Sequence, residues 1–501
     1  MKKLAEVILV PCPPMGHVAQ MVELAKLLIH RNHQLSITIL IMKLPDYIDA
    51  VSGSFVDTVA ASSTSNRLRF VYLPDADPTP EWSSKTRVHF FYRLLQSQES
   101  HIRDFLVNQR GPMAGFIVDM LCAHPLIDLA EELGIPSYVF FTSPATFLGL
   151  MLHFQVLEDE CHVDVPEFIR NSDRLLSFPC FVNPLPPTVL STNFVDRDIW
   201  LTSGFLEFAR GYRKAKGIII NTFDELEMHA LDACNNNLSK SGRVPLIYPV
   251  GPIMNQSKSS RPEAEAEITG WLDHQPPCSV VLLCFGSQGS LPVEQVKEIA
   301  LALEQSGCRF LWSLRRPPED SNAQFPGEYT SFSDILPEGF LERTKKKGKV
   351  VGWVPQLKVL SHEAIWGFVS HCGWNSTLES IWFGVPIATW PLHSEQQGNA
   401  FQLVKEIGNA VEITLDYCER RRSRGDQPII TAQAIEKGIR ELMKTNTQVR
   451  DKAKEMKQKS RASVMEGGSS YLSFEKLIHK LLQNVNQIIF QGFVGKKDVL
   501  N

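Results

Sequence analysis

The ten residues His371–Ser380, HCGWNSTLES, bring together groups able to do chemistry. A histidine and a cysteine are adjacent, a glycine follows, and Glu379 lies about one helical turn past Asn375. Zinc needs three or four ligands at workable spacing. Only His371 and Cys372 are close in sequence, and neighbours on an extended segment face opposite ways. The same geometry disfavours a Cys372 nucleophile served by His371. An anion site fits better. The run AIWGFVSH reads as a buried strand, Gly373 permits a tight turn, Asn375 and Ser376 suit a helix N-cap, and STLESIWFG continues as a helix to Gly384. The start of such a helix offers unpaired N–H groups and a positive dipole end, which suit a pyrophosphate. His371, at the strand end, can add a hydrogen bond or a charge.

Other polar residues recur at strand ends. In GWVPQLKVLSHEA, Trp353 and Gln356 follow an apolar run. A ring for stacking and an amide for edge hydrogen bonds suit a nucleobase. Glu379 can accept from both hydroxyls of a ribose. Glu395 and Gln396, in WPLHSEQQGNA, suit sugar hydroxyls. Taken singly, each has an ordinary reading as surface amide, capping acid or core ring. Together they describe base, ribose, diphosphate and sugar in order. In the N-terminal half, His17 follows the first apolar run in PMGH, and Asp119 ends GFIVD. A carboxylate after four apolar residues is costly without a partner. A histidine oriented by a buried carboxylate makes a general base.

These residues need strands to carry them. The chain alternates apolar runs (EVILVPC, LSITILIM, LRFVYLP, AGFIVDML, SYVFFTS, AKGIIINTF) with amphipathic segments such as MVELAKLLIHR. The alternation resumes with SVVLLCFGS, CRFLWSL, GKVVGWV, AIWGFVS, VPIATWP and NAVEITL. It predicts an α/β protein of two halves with parallel sheets, and a ligand cleft beyond the strand C-termini. At 501 residues the chain is too long for one core. The polar stretch 254–266 reads as the linker. Neither half carries GxGxxG or a Walker A loop, so a standard dinucleotide or P-loop site is not expected.

A net charge of -4 gives no global basic field for nucleic acid, and CERRRSRGD reads as a solvated loop. The ten cysteines form no CxxC and read as reduced thiols. The opening apolar run is broken by Glu6 and is too short for a signal peptide, and no stretch reaches the length of a membrane span. A cytoplasmic protein is expected.

The 44 residues Trp353–Gln396 closely resemble, without a gap, the signature of plant secondary-product UDP-glycosyltransferases. The stretches NTFDELE, YPVGPI, WLDHQPPCSVVLLCFGSQGS and EGGSSYLSFEKLI extend the likeness over most of the chain. The resemblance implies a GT-B fold: two Rossmann-like domains whose parallel sheets face across a cleft. Its boundaries here are 1–253 for an acceptor domain, 254–266 for the linker and 267–465 for a UDP-sugar domain. Residues 466–484 would be a helix packing back on the first domain, with 485–501 left unassigned.

The resemblance also implies roles. Trp353 stacks on uracil, with Val354 and Gln356 reading its edge. Glu379 holds the ribose, and Ser287, His371, Asn375 and Ser376 hold the diphosphate. Trp374, Ser394, Glu395 and Gln396 surround the sugar, with Thr142 nearby. Gln396 at the last signature position points to glucose. His17 becomes the base and Asp119 its orienter, in an inverting transfer that needs no metal or other cofactor. The partners are UDP-glucose and an apolar hydroxylated small molecule, with no nucleic acid and no membrane segment, and the enzyme is a monomer. Met15, Phe90, Phe147, Met151 and His393 are candidates for the acceptor pocket, with core packing as the alternative for the apolar ones. A flavonoid or other phenol is the first expectation for the acceptor, and a terpenoid alcohol the second. A non-catalytic UDP-sugar-binding protein would have no need of both His17 and Asp119.

Overall fold

The structure is a computed structural model. It describes residues 4–497 apart from 45–49, 63–64, 76–86, 110, 173, 192–193, 195–198, 237–243, 256–260, 319–325 and 419–427. The basic run expected as a solvated loop, from 419 onward, lies outside the described residues.

Each apolar run forms a parallel strand, as βαβ connections require. In the first unit these are β1 (Ala5–Val10), β2 (Leu35–Ile41), β3 (Leu68–Tyr72), β4 (Met113–Asp119), β5 (Ser137–Phe141), β6 (Gly217–Ile220) and β7 (Leu246–Pro249). They pair in the order β3-β2-β1-β4-β5-β6-β7. The second unit has β8 (Val280–Cys284), β9 (Arg309–Ser313), β10 (Gly348–Val351), β11 (Ile365–Ser370), β12 (Ile387–Thr389) and β13 (Ala410–Glu412), in the order β10-β9-β8-β11-β12-β13. Both sheets reverse their winding once, between β1 and β4 and between β8 and β11. Loops leaving the strands at such a point part in opposite directions and open a crevice.

The inner strands β4, β5, β6 and β8 are buried throughout because helices cover both faces, whereas the edge strands β3, β7 and β10 are partly exposed. All seven residues of β4 are buried. One face of the first sheet packs Val7 and Leu9 against Val18, Met21 and Val22 of the helix Met15–Arg31. In the second sheet, Val281 and Leu283 meet Val296 and Ile299 on one face, while Val280 and Leu282 meet Leu272 and Leu360 on the other.

The units are Met1–Val165 with Asp196–Asn255 and Ser463–Asn501, and Pro166–Val195 with Gln256–Ala462. The expected boundaries differ in three places. Residues 166–195 group with the second unit, not with a continuous first domain. There the Val182 and Asn183 backbone N–H groups donate to the Glu406 carboxylate at 2.7 and 3.0 Å, and Phe181 meets Phe401 edge-on. The last residues of the expected linker are helical: Pro262 opens the helix Pro262–Asp273, with Glu263 and Glu265 in its first turn. Proline at the first position and acids at the positive dipole end are start signals, masked because only Ile268 and Leu272 of this helix are buried. Third, the helix Ser469–Lys497 takes in most of the segment left unassigned.

That last helix belongs to the first core. Phe474, Leu477, Ile478 and Leu481 join the cluster built on β1 and β2. Asn484 donates from Nδ2 to Ala114 O at 2.8 Å and to Tyr138 Oη at 2.9 Å. Leu481 is fully buried. Leu481→Ala should therefore lower the stability of the first unit by about 2–5 kcal/mol, read from its urea unfolding midpoint. An unchanged midpoint would mean that the helix is not part of that core.

Candidate active site

The parallel register sets Val10 of β1 beside Val118 of β4. The loop after β1 and the end of β4 are therefore neighbours. Asp119, fully buried, divides its two oxygens. Oδ1 accepts from Leu121 N at 3.0 Å, capping the short turn Met120–Cys122, and Oδ2 lies 2.8 Å from His17 Nδ1. The carboxylate holds the proton on Nδ1, so Nε2 carries the lone pair of a base. The His17 side chain is 24% exposed. The helix expected to begin near Met21 begins at Met15, which puts His17 in its first turn. Thr142, expected near the sugar, sits with Oγ1 3.4 Å from His17 Nδ1, a contact that spacing in the sequence does not reveal.

The second unit builds its site on the other winding reversal. His371 follows β11, and the loop after β8 runs beside it. A Cβ on Gly286 would come within 2.6 Å of His371 Nε2, and one on Gly373 within 2.4 Å. The ring can lie there only because both positions lack a side chain. Burial pushes His371 down to about 4, so at neutral pH it is an uncharged hydrogen-bonding group. Its Nδ1 has no hydrogen-bond partner among the described residues.

The helix that follows is Trp374–Phe383, capped by Gly373 with no side-chain cap bond. Asn375 and Ser376, expected as caps, lie inside the first turn instead, and Trp374 is its first residue. Gly373 at the cap position contributes no side chain, so the positive end of the helix dipole is not covered by a capping group. Cys372 is buried, its Sγ lies 3.5 Å from Ser370 O, and its thiol is pushed up to about 12, which removes it as a nucleophile. Ser287 is exposed on the loop after β8.

Gln356 heads the short helix Gln356–Leu360. Its Nε2 donates to Ser376 Oγ at 2.8 Å and to Glu379 Oε2 at 2.7 Å. The amide, the hydroxyl and the carboxylate thus form one network. Burial pushes the Glu379 carboxyl up to about 7, against the opposing pull of the Gln356 bond. Val354 is buried in the second core. Trp353 is partly exposed, with the Arg261 guanidinium 5.7 Å from its ring centroid. No pattern in the sequence marks Arg261.

In the loop after β12, Ser394 takes a left-handed φ of 59°. Gln396 is buried. Its Oε1 accepts from Leu392 N at 2.9 Å and His393 N at 3.1 Å, and its Nε2 lies 3.2 Å from His393 Nδ1. Gln396 thus orders its own loop through Oε1. Glu395, partly exposed, caps the helix Gln396–Phe401.

The acceptor-pocket residues divide. Phe90, Phe147 and Met151 are 1%, 4% and 0% exposed, and Phe147 stacks edge-on with Phe205 at 6.1 Å. Core packing, the alternative reading, describes these three. Met15 and His393 are partly exposed.

With this geometry in hand, the likeness to known proteins is specific. The family model described as UDP-glucoronosyl and UDP-glucosyl transferase matches residues 257–420. UDP-glycosyltransferase 71A15 of Malus domestica is 46% identical over 96% of this chain and 100% of its own. UDP-glucose flavonoid 3-O-glucosyltransferase 6 of Fragaria ananassa is 47% identical over 96% of this chain and 99% of its own. The crystal structure of Medicago truncatula UGT71G1 complexed with UDP-glucose superposes with a TM-score of 0.84 at 37% identity, covering 95% of this chain and 98% of that one. Two Rossmann-like units with this similarity are the GT-B fold, and the chain belongs to the plant UDP-glycosyltransferases.

Proposed function

We propose that this glycosyltransferase moves glucose from UDP-glucose to a hydroxyl of an apolar plant secondary metabolite, a flavonoid or another phenol, with inversion to a β-glucoside. The observation that carries this reading is the 2.8 Å contact between His17 and buried Asp119. The acceptor O–H gives its proton to His17 Nε2. The oxygen forms its bond to the anomeric carbon as the bond to the β-phosphate oxygen breaks, and UDP leaves with the electron pair. The imidazolium is stabilised by Asp119. A base of this kind contributes roughly 10²–10⁴-fold. A phenol, titrating near ~10, asks less of it than an aliphatic alcohol.

On the second unit, the positive dipole end of the helix that starts at Trp374, and His371 Nδ1, which has no hydrogen-bond partner among the described residues, suit the diphosphate. Trp353 and Gln356 suit the base, and Glu379 the ribose. The name of the Fragaria relative supports a flavonoid acceptor for that protein and, by likeness, for this one. The reading includes a cytoplasmic monomer that needs no metal. No described helix is long and apolar enough to cross a membrane.

The test is incubation with UDP-glucose, EDTA and a pool of flavonoids, simple phenols and terpene alcohols. Mass spectrometry should find flavonoid or phenol products heavier by one hexose unit. Products from terpene alcohols alone would overturn the acceptor class, and activity lost to EDTA would overturn the metal-free part. His17→Ala should abolish product formation while UDP-glucose still binds. Near-normal turnover on an aliphatic alcohol would remove His17 as the base.

A second prediction concerns pH. Ribose hydroxyls donate to the ionised form of Glu379, whose carboxyl in the free protein titrates at about 7. Donor binding should therefore pull that value down and release a proton. UDP-glucose has no phosphate that titrates near neutrality, so its affinity reports on the protein. Affinity should fall as pH drops from 8 to 6, approaching ~tenfold per unit below the titration. In Glu379→Gln it should be weaker and flat with pH. A flat wild-type profile, measured by calorimetry, would contradict the assignment.

A further inference from the structure

Among the described residues, one cluster offers ligand atoms with metal-like spacing: Cys12, Asp119 and Cys122, whose sulfurs and carboxylate oxygen all lie within 4.8 Å of one another. We propose that these three residues form a binding site for a thiophilic divalent cation, Zn²⁺ or Cd²⁺, whose occupancy draws Asp119 away from His17 and stops turnover. The inhibitory half rests on the reading of His17 and Asp119 as base and orienter.

The fold brings the three residues together at one end of the sheet. Cys12 lies two residues beyond β1, and β4 beside it ends at Asp119. Cys122 closes the turn that Asp119 caps through Leu121 N. The three residues are 1%, 0% and 1% exposed. The two thiols hydrogen-bond each other, and burial holds both in the protonated form. In a tetrahedral zinc site with Zn–S near 2.3 Å, ligand atoms stand about 3.6–3.8 Å apart. The cluster therefore needs to contract by about 1 Å at most, with water as a fourth ligand.

Charge also allows it. The thiols and the carboxylate together carry one negative charge. A dication bound by two thiolates and the carboxylate carries the same total, and the two displaced protons pass to solvent. The buried site gains no net charge. What changes is the partner of Asp119. Its electron density goes to the metal, so Asp119 becomes a weaker acceptor for the His17 Nδ1 proton and a weaker stabiliser of a protonated His17. None of the ten cysteines forms a disulfide, so both thiols are available as ligands.

The test uses the full-length, chelator-treated protein with exposed Cys161 and Cys278 replaced by serine. Cd²⁺ alone is titrated while the ultraviolet thiolate-to-cadmium charge-transfer absorption is followed, and turnover is measured in parallel. We expect one equivalent to bind, turnover to fall with it, and EDTA to restore turnover. Cys12→Ser and Cys122→Ala should each keep basal turnover and lower Cd²⁺ affinity by about 10–100-fold or more. Equal absorption and equal inhibition in both variants would place the metal elsewhere and overturn the site. Absence of the absorption in the parent protein would overturn it without any variant. Absorption that depends on Cys12 while turnover is untouched would leave the site standing and overturn both its inhibitory role and the reading of the His17–Asp119 pair.

Discussion

A hydrogen bond of 2.8 Å joins His17 to a carboxylate with no exposure, and the first unit is arranged so that this bond can exist. An isolated buried carboxylate is expensive, and removing one partner of a buried pair costs about 3–5 kcal/mol. Asp119 is tolerated because both its oxygens are engaged, one by the backbone of the next turn and one by the imidazole. That requires β1 and β4 to be sheet neighbours although about a hundred residues separate them, which the strand order β3-β2-β1-β4 supplies. The helices packed on this sheet, including the C-terminal one, hold the two strand ends in place.

The second unit uses the same winding reversal for a different task. In the proposed reading its strand ends hold the donor rather than a base. The Trp374–Phe383 helix is left without a side-chain cap, and His371 occupies a space that two glycines leave open. Both features forgo local stability, since a capping side chain typically contributes ~1 kcal/mol. Glu379 adds to this, because its raised titration at about 7 means that the ionised form is disfavoured without a ligand. Sites that bind charge or polar groups often carry such disfavoured groups.

Much of this was legible in the sequence. The strands and the two-unit parallel-sheet architecture follow from apolar runs alternating with amphipathic segments, and the family resemblance singled out His17 and Asp119 as a pair. The resemblance over Trp353–Gln396 named the family. What the sequence hid has physical causes. Phe90, Phe147 and Met151 have the composition of a pocket, but composition does not tell a pocket from a core, and they are core. The sequence does not show that the Gln396 carbonyl oxygen also accepts from Leu392 N and His393 N of its own loop. Residues 166–195 show no periodicity that would assign them to either unit, and a carboxylate more than two hundred positions away, Glu406, decides it. The cysteines beside Asp119 are invisible as a cluster because they come together only when β1 pairs with β4.

The measurement that bears most directly on this account is the turnover of Asp119→Asn with a phenolic acceptor. The amide keeps the size of the side chain and can still accept a hydrogen bond, but it removes the charge that stabilises a protonated His17. The account predicts that kcat falls by about 10²–10⁴-fold while the affinity for UDP-glucose, whose proposed site is on the second unit, is unchanged. Near-wild-type turnover in a folded Asp119→Asn protein would contradict it.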